Sequence, residues 1–439
     1  MHDAATSMHG RRRWNELALG AVLTFVAAAA FLFGPRGAPV EIVLLALAPV
    51  AALAMEGSLD AALRPTPLLL ACLLFGCYIA INASWSVDLA EAYGKVLFFF
   101  VMIATVHMAL LGLPRLSDVM LHTIERAALA GVLTGAAFLA IEVLTEQGIK
   151  RLFFSLVPLA RPDPKHIQVL DGWVTQINAY MLNRNMAALS LALWPALLIV
   201  RTLLGPRRGL LLGAGLFAIS AVAIFKSEHE TSMIALVFAT ATFIGMSLLA
   251  PLMRRLVVIG WIVATLLVVP IALLAYVQQL HFAHWIPETG RNRIILWGYT
   301  AGVISKAPIL GTGVASTKEL DEERAAKAAR PAGYTYPLRT GRHSHNVYMQ
   351  TWYELGAVGA LLLCGIGLLG IRLLSTFPDS GQPFAFASFV SAVMIGAFSW
   401  GMWQVWFMAS FGIWAILVAL AYEGERRSAR ASAPDLSAS

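Results

Sequence analysis

The stretch from Phe384 to Leu420, FAFASFVSAVMIGAFSWGMWQVWFMASFGIWAILVAL, contains 37 residues and no charged side chain. A membrane-spanning helix needs about 20 apolar residues, so this stretch is too long for one crossing and long enough for two. The tripeptide Ser399-Trp400-Gly401 near its middle predicts the turn at which the chain reverses. We therefore predict a pair of adjacent transmembrane helices here.

The composition of the whole chain agrees with that local pattern. Of the 439 residues, 59% are apolar and only 13% are charged, whereas a soluble domain is about half apolar and roughly a quarter charged. These fractions exclude a soluble enzyme, a β-barrel porin and a disordered protein. The predicted fold class is an all-α polytopic membrane protein with about 12 transmembrane helices, near 17–33, 40–55, 67–83, 96–113, 127–144, 186–204, 209–225, 232–253, 256–278, 347–371, 384–400 and 404–421.

Basic residues predict how these helices are oriented. If the N-terminus is cytoplasmic, the arginines of the short loops and tails fall almost entirely on the inner side, and the short outer loops hold only Arg36, Lys95 and Lys226. This distribution satisfies the positive-inside rule. We expect both termini to be cytoplasmic, with an N-terminal tail over 1–16, a membrane domain over 17–422 and a disordered tail over 423–439.

Two predicted outer segments are long, 145–185 and 279–346, and the second lies between spans nine and ten and is expected to be largely helical. They carry five basic and three acidic residues, and nine basic and five acidic residues, respectively. Structureless loops of this length are uncommon unless they have a function. Their excess positive charge, part of a net +7 for the chain, suggests an anionic partner at the outer face.

Three clusters could bind such an anion. Arg291 and Arg293 lie together before Trp297, and guanidinium groups bind phosphate oxygens in a bidentate manner; contact with lipid headgroups is the alternative. Arg184, between two asparagines at the mouth of span six, is costly there unless it faces a polar cavity or the interface. Lys226, in the short connection between spans seven and eight, is a third candidate for contact with the anion. An ordinary charged loop is the alternative interpretation.

The densest polar cluster, Arg339 to Asn346, directly precedes span ten. His345 is a candidate general base, although a solvated loop histidine is the alternative. His343 and His345 could supply two ligands to a metal ion, but a third ligand at the usual spacing is absent, so we predict no metal site and no cofactor. The three cysteines lie in apolar runs and predict neither a disulfide nor a zinc site. Supporting roles are assigned to Asn346, His343, Arg342, Glu354 and Trp85.

The motifs resemble those of bacterial O-antigen ligases. The run His345-Asn346, nine residues, Gly356, two residues, Gly359 is similar to the signature that precedes a late span in that family. Upstream, Arg293-x-x-x-Trp297 and Pro308-x-x-Gly311-x-Gly313 resemble patterns of the wider ligase and polymerase superfamily. Ser84-Trp85-Ser86 and Asn183-Arg184-Asn185 fall where that superfamily has polar outer motifs, so the resemblance covers most of the chain.

The resemblance implies a GT-C-like inverting glycosyltransferase that transfers O-antigen glycan from undecaprenyl diphosphate to a sugar hydroxyl of lipid A–core. It implies an active site at the periplasmic face of the bacterial inner membrane. Because carboxylates are sparse and arginines abundant, we expect guanidinium groups rather than a metal to neutralise the diphosphate. His345 would act as the base, with Asn346 or Glu354 orienting its ring, and Arg184 and Arg293 would bind the diphosphate.

Other functions stay open at this point. An O-antigen polymerase or a protein O-oligosaccharyltransferase would use the same donor with another acceptor. A lipid-linked glycan flippase would need charged or broken helices near the midplane, whereas the polar clusters gather at one predicted face. The expected partners are the lipid-linked donor, the lipid A–core acceptor and membrane lipid, with no nucleic acid.

Overall fold

A computed structural model describes residues 2–57, 65–325 and 328–431. Arg64, one of the arginines that the positive-inside rule predicts on the cytoplasmic side, and the tail residues 432–439 lie outside these ranges. The described chain is mostly helical. In chain order its α-helices are α1 (His2–Phe33), α2 (Ala38–Met55), α3 (Pro67–Asn82), α4 (Leu89–Gly112), α5 (Asp118–Leu144), α6 (Gly148–Leu156), α7 (Asn183–Lys226), α8 (Glu230–Leu266), α9 (Val268–Val277), α10 (Glu288–Ile304), α11 (Thr317–Ala325), α12 (Val347–Leu374), α13 (Gln382–Phe398) and α14 (Val405–Ala431).

Nine of the described helices are long and apolar enough to cross a membrane. Two of them, α7 and α8, each contain a reversal, at Gly205 and near Leu249. The shorter apolar helix α13 adds a further segment, and α9 continues the second arm of α8. The predicted all-α polytopic class is confirmed, and counting both arms of α7 and of α8 gives twelve apolar segments in the described chain.

The reversal in α7 follows from Gly205-Pro206. Gly205 has φ 71° and ψ 176°, a conformation that a residue with a Cβ rarely adopts, and proline cannot continue the hydrogen-bonding pattern of a helix interior. The two arms consequently pack side by side. The rings of Trp194 and Phe217, one from each arm, lie with centroids 6.1 Å apart.

The uncharged stretch folds as predicted. Helix α13 ends at Phe398 and α14 begins at Val405, so Ser399-Trp400-Gly401 lies in the connection. The C-terminal boundary differs from the prediction, because α14 continues to Ala431 and residues 423–431 are helical rather than disordered. The reason is ion pairing: Glu423 pairs with Arg426 at 2.7 Å and Arg427 at 2.6 Å, and Glu425 pairs with Arg201 at 2.7 Å.

Long polar connections gather at one end of the bundle, which we call the site face: the connections over 145–182, 227–229, 279–346 and 399–404. Contacts between the helix ends establish this grouping, since the Asn185 side chain donates to the carbonyl of Leu32 at 2.7 Å and Ser86 donates to that of Val314 at 2.6 Å. Arg201–Glu425 lies at the opposite end. The two long segments therefore share one side of the bundle, as predicted.

The segment after α5 contains a β-hairpin that the all-helical prediction did not include. Strand β1 (Ile167–Leu170) pairs antiparallel with β2 (Trp173–Ile177). Asp171 and Gly172 form the turn with φ values of 49° and 83°, and an Asp-Gly pair favours this type of tight turn. The hairpin packs on α6, which places it at the start of α7.

Helix α12 is interrupted where the glycine signature falls. Gly356 has φ 64° and ψ −164°, a region that is essentially restricted to glycine. A Cβ at this position would lie 2.2 Å from the carbonyl oxygen of Ile309. The glycine therefore permits both the break in α12 and the close approach of the loop over residues 308–313.

Replacing Gly356 with alanine should destabilise the protein by at least about 1–3 kcal/mol, since both the backbone conformation and the contact with Ile309 would be strained. Thermal unfolding of the detergent-purified protein measures this effect. Gly365→Ala in the same helix is the matched control, because nothing lies within 4 Å of a Cβ built there. Equal unfolding temperatures for the two variants would contradict this account of the break.

Candidate active site

The connection between α13 and α14, residues 399–404, is the centre of the site face. The Phe398 carbonyl accepts a hydrogen bond from the Thr231 hydroxyl at 2.8 Å. One residue later, the Ser399 carbonyl bonds to Nδ1 of His345 at 2.8 Å. The Met402 amide donates to the side chain of Gln350 at 3.0 Å. This connection therefore joins α8 and α12 at the point where His345 lies.

The contact with Ser399 determines the tautomer of His345. A carbonyl oxygen can only accept, so Nδ1 must carry the proton and Nε2 has the free lone pair in the neutral ring. Among the described residues, no group hydrogen-bonds to Nε2. The backbone of His345 has φ 52°, an uncommon value for a residue other than glycine. The loop thus holds this imidazole in a single orientation with an available acceptor nitrogen.

Burial also favours the neutral form of His345. Desolvation lowers the pKa of His345 below its usual value of 6.5, and the positive charge of Arg293 lowers it further, although the hydrogen bond to Ser399 acts in the opposite direction. His343, whose ring centroid is 4.1 Å from that of His345, has its pKa lowered to about 3 by burial and by the neighbouring His345 and Arg342. Both rings are therefore neutral at pH 7.

Helix α10 explains the Arg-x-x-x-Trp spacing. Arg293 and Trp297 are four residues apart and share one face of the helix. The Trp297 indole donates to the Ser344 carbonyl at 2.6 Å, which fixes the loop next to His345. Arg293 lies close enough to influence the pKa values of both His345 and His229. Burial lowers the pKa of Arg293 itself, which nevertheless stays charged.

Arg184, at the start of α7, lies over an aromatic ring. Its guanidinium carbon is 5.4 Å from the centroid of Trp406, within the range of a cation–π interaction. The Nε atom of Arg184 is buried and has no acceptor among the described residues. Arg36, in the 3₁₀ turn between α1 and α2, lies close enough to repel Arg184 electrostatically. This arginine is therefore held in place without a neutralising carboxylate.

A chain of rings connects Arg184 with Arg293. Trp406 packs edge-on against Trp400, with centroids 4.8 Å apart, and Trp400 stacks on His229 at 5.6 Å. Burial and the charge of Arg293 together lower the pKa of His229 to about 4. Within the described ranges, neither Arg184 nor Arg293 has a carboxylate within ion-pair distance. The result is a positively charged surface bordered by neutral imidazole and indole rings.

The structure separates the two arginines of the second cluster. Arg293 interacts electrostatically with the partly buried His345 and the buried His229, and Arg291, whose Nε is buried and unpartnered, is not among the charges that shift the pKa of either histidine. Lys226 is exposed at the end of α7, and Trp85 is 39% exposed. Arg342 forms an exposed ion pair with Glu322 at 3.2 Å. None of these three has a contact with His345 in the described structure.

The expectation that Asn346 or Glu354 orients the His345 ring is wrong, since the Ser399 carbonyl does so. The Asn346 side chain instead caps α12 by accepting from the Met349 amide at 2.9 Å. Glu354 is fully buried, and its carboxylate accepts hydrogen bonds only from neutral groups of the described chain. Those donors are the Ala315 and Thr317 amides, the Thr317 hydroxyl, the Gln350 amide group and the Trp403 indole.

The Pro-x-x-Gly-x-Gly motif has a structural role. Because α12 breaks at Gly356, the carbonyls of Tyr353 and Glu354 are free to accept from the Thr312 and Gly313 amides at 3.0 and 2.9 Å. A Cβ on Gly311 would meet the Glu354 backbone at 2.4 Å. The glycine motifs thus pack the loop over 308–313 against α12.

Sequence reasoning did not assign roles to several residues of this surface. His229 follows Lys226 in the charged connection between spans seven and eight, and the sequence indicates no separate role for it. Trp400 indicates only the position of a turn. The regular spacing of Trp400, Trp403 and Trp406, three residues apart in an apolar run, is the sequence pattern that could have indicated an aromatic cluster here. Ser399 acts through its carbonyl group, which the side-chain sequence does not identify.

The described residues contain no group of three or more His, Cys, Asp or Glu side chains arranged to hold a metal ion. The site face presents the guanidinium groups of Arg184 and Arg293, neither of which has a carboxylate within ion-pair distance in the described ranges, although Glu230 interacts electrostatically with Arg293. Its neutral imidazole can accept a proton from a substrate. These features define a polytopic membrane protein suited to acid–base chemistry beside a bound anion.

Part of the chain is similar to a known protein family. Residues 215–364, from the second arm of α7 into α12, match the sequence model of the O-antigen ligase family. The predicted resemblance to this family is thereby confirmed over these residues. The matched region includes Arg293, Trp297, His345 and both glycines of the last motif.

Relatives over a longer part of the chain come from Rickettsia. A protein of Rickettsia conorii, named as a candidate polysaccharide ligase, is 25% identical over 297 residues, which are 67% of this chain and 66% of the relative. One of Rickettsia felis with the same type of name is 27% identical over 241 residues, 54% of this chain and 58% of the relative. The chain thus matches less than two thirds of the length of these relatives.

Proposed function

We propose that this protein is an inverting, metal-independent glycosyltransferase that transfers O-antigen glycan from undecaprenyl diphosphate to a sugar hydroxyl of lipid A–core. The proposal rests chiefly on one observation: His345 presents an unprotonated Nε2 beside Arg293, while its Nδ1 is bound to the Ser399 carbonyl at 2.8 Å. The similarity of residues 215–364 to the O-antigen ligase family and the polysaccharide ligase names of the relatives support the same type of reaction.

The proposed step is a direct displacement. The acceptor hydroxyl oxygen attacks the anomeric carbon of the donor glycan, and its proton passes to Nε2 of His345. The bond between the anomeric carbon and the diphosphate oxygen breaks, and its electron pair stays with the diphosphate. Because attack and departure occur on opposite sides of that carbon, the configuration inverts.

Arg184 and Arg293 would stabilise the negative charge that develops on the departing diphosphate. Fixed positive groups contribute most where charge grows in the transition state. Neither guanidinium forms an ion pair with a carboxylate in the described chain, although Glu230 interacts electrostatically with Arg293, so both can bind phosphate oxygens. We assign this face of the bundle to the periplasmic side of the inner membrane, in agreement with the basic residues at the opposite end.

The identity of the acceptor distinguishes the proposed ligase from a polymerase and from a protein glycosyltransferase, which would use the same donor. Purified protein in detergent should transfer glycan from the lipid-linked donor to lipid A–core, with no transfer to a second lipid-linked glycan or to a protein acceptor. Transfer to either alternative acceptor instead would identify a polymerase or a protein glycosyltransferase. Absence of any product in detergent, where no compartments exist, would exclude all three enzymes and favour a transporter.

The pH dependence follows from the lowered pKa of His345. The neutral ring is the active form, so kcat/KM should rise with pH through an apparent pKa below 6.5 and stay level above it, since this parameter reports the ionisation of the free enzyme. Initial rates between pH 4.5 and 8 test this, and His345→Gln should abolish the acidic limb. A midpoint at or above pH 7 would contradict a buried base next to Arg293.

A further inference from the structure

Helix α6 has an unusual arrangement of polar and apolar residues. Ile149, Leu152, Phe153 and Leu156 fall on one side of the helix, and they are 42%, 53%, 50% and 66% exposed. No residue of α6 is buried. The large side chains that would normally face the interior of a protein therefore point away from it.

The polar side of α6 is the side that contacts the protein. Arg151 donates from its guanidinium to the carbonyls of Thr175 at 2.9 Å and Thr145 at 2.8 Å. The Ser155 hydroxyl accepts from the Val174 amide at 2.8 Å. This orientation is the reverse of that of an amphipathic helix on a soluble domain, in which the apolar face covers the core.

The helix is held in this orientation at the end of a membrane-spanning helix. Glu142, a buried residue in the last turn of α5, accepts from the Ile149 and Lys150 amides at 2.9 and 3.2 Å. The Gln147 side chain donates to the Ile177 carbonyl at 3.1 Å, which fixes the β-hairpin to the same junction. Only three residues separate α5 from α6, so α6 lies at the level where α5 leaves the bilayer.

The exposed apolar surface continues on both sides of α6. At the end of α5, Ile141 and Leu144 are exposed, and they belong to the surface of a membrane span. Beyond α6, Leu159 is fully exposed, and Trp173 in the hairpin is 56% exposed. A tryptophan at this level is typical of the boundary between headgroups and acyl chains.

We propose that α6 lies in the membrane interface, with the side of Ile149, Leu152, Phe153 and Leu156 inserted among the upper acyl chains of the bilayer. Continuity with the apolar surface of α5 identifies the occupant as lipid. The hairpin leads directly through the 3₁₀ turn Ala179–Leu182 into Asn183-Arg184. Seating α6 in lipid therefore sets the depth of Arg184 relative to the headgroups.

Nitroxide labels measure this depth without any enzymatic assay, so the result is independent of the proposed function. In a variant whose native Cys72, Cys77 and Cys364 are replaced by alanine, Leu152→Cys and Phe153→Cys are labelled and reconstituted into nanodiscs of phosphatidylethanolamine and phosphatidylglycerol. The relative accessibility of each label to oxygen and to a nickel chelate is then recorded by electron paramagnetic resonance.

Two positions provide the reference values. Leu97→Cys on α4 is 65% exposed within a membrane span, and Asp163→Cys is exposed in the polar part of the same segment as α6. We expect the labels at Leu152 and Phe153 to favour oxygen over the nickel chelate several-fold, as at Leu97 and in contrast to Asp163. Values matching Asp163 would place the face in water and overturn the proposal. Shielding from both reagents would also overturn it, since protein would then cover the face.

Discussion

Replacing His345 with glutamine is expected to lower kcat for glycan transfer by about 10²–10⁴-fold, the usual contribution of a positioned general base. The acceptor hydroxyl attacks well only if its proton leaves as the new bond forms. His345 is suited to remove that proton, because its Nδ1 hydrogen is bound to Ser399 and burial keeps the ring neutral. Glutamine retains a similar size and polarity but cannot accept the proton at neutral pH.

The measurement is a single-turnover transfer assay with purified lipid-linked donor and acceptor. His284→Gln is the matched control, because His284 is an exposed histidine of the same segment without a described contact to the site. Binding of the donor should change little in the His345 variant, since its role is in the chemical step. Normal turnover of His345→Gln would eliminate this residue as the base.

Replacing Arg293 with lysine should impair transfer although the charge is kept. A guanidinium binds two phosphate oxygens in a fixed plane, whereas an ammonium acts as a point charge. Loss of one charged hydrogen bond costs about 1.5–3 kcal/mol, which corresponds to roughly ten- to a hundredfold in kcat/KM. Arg293 is chosen because its charge influences the pKa values of both His345 and His229.

Arg291→Lys is the control for this experiment. It makes the same chemical change two residues away, on a side chain without an electrostatic effect on either histidine, and it should reduce kcat/KM less than threefold. Thermal unfolding of both variants separates a loss of binding from a loss of folding. A larger defect in Arg291→Lys than in Arg293→Lys would reverse the assignment of the diphosphate ligand.

Much of the site could be predicted from sequence because its motifs are local. Arg293 and Trp297 are one helical turn apart, and His345 directly precedes a helix whose cap, Asn346, is its neighbour in sequence. Such short-range relations depend on helix geometry alone. The Asp171-Gly172 pair between two short runs of β-forming residues also indicates the β-hairpin after α5. An interpretation of the whole chain as helical does not include it.

The partners of these residues could not be predicted in the same way. Ser399 lies 54 residues from His345 along the chain, and Trp406 is far from Arg184 in sequence. Glu354 illustrates the difficulty: a carboxylate near a histidine suggested an orienting role, yet its hydrogen bonds go to the backbone and side chains that surround the break in α12.

The uncharged stretch from Phe384 to Leu420 by itself determined that this chain folds in a membrane and reverses at Ser399-Trp400-Gly401. That conclusion needs only the thickness of a bilayer and the cost of placing charge inside it. Only the tertiary structure decided what the reversal does: its Ser399 carbonyl fixes the tautomer of His345, and its Trp400 joins His229 to the ring beneath Arg184. Those contacts arise from the packing of helices distant in sequence, which hydropathy does not encode.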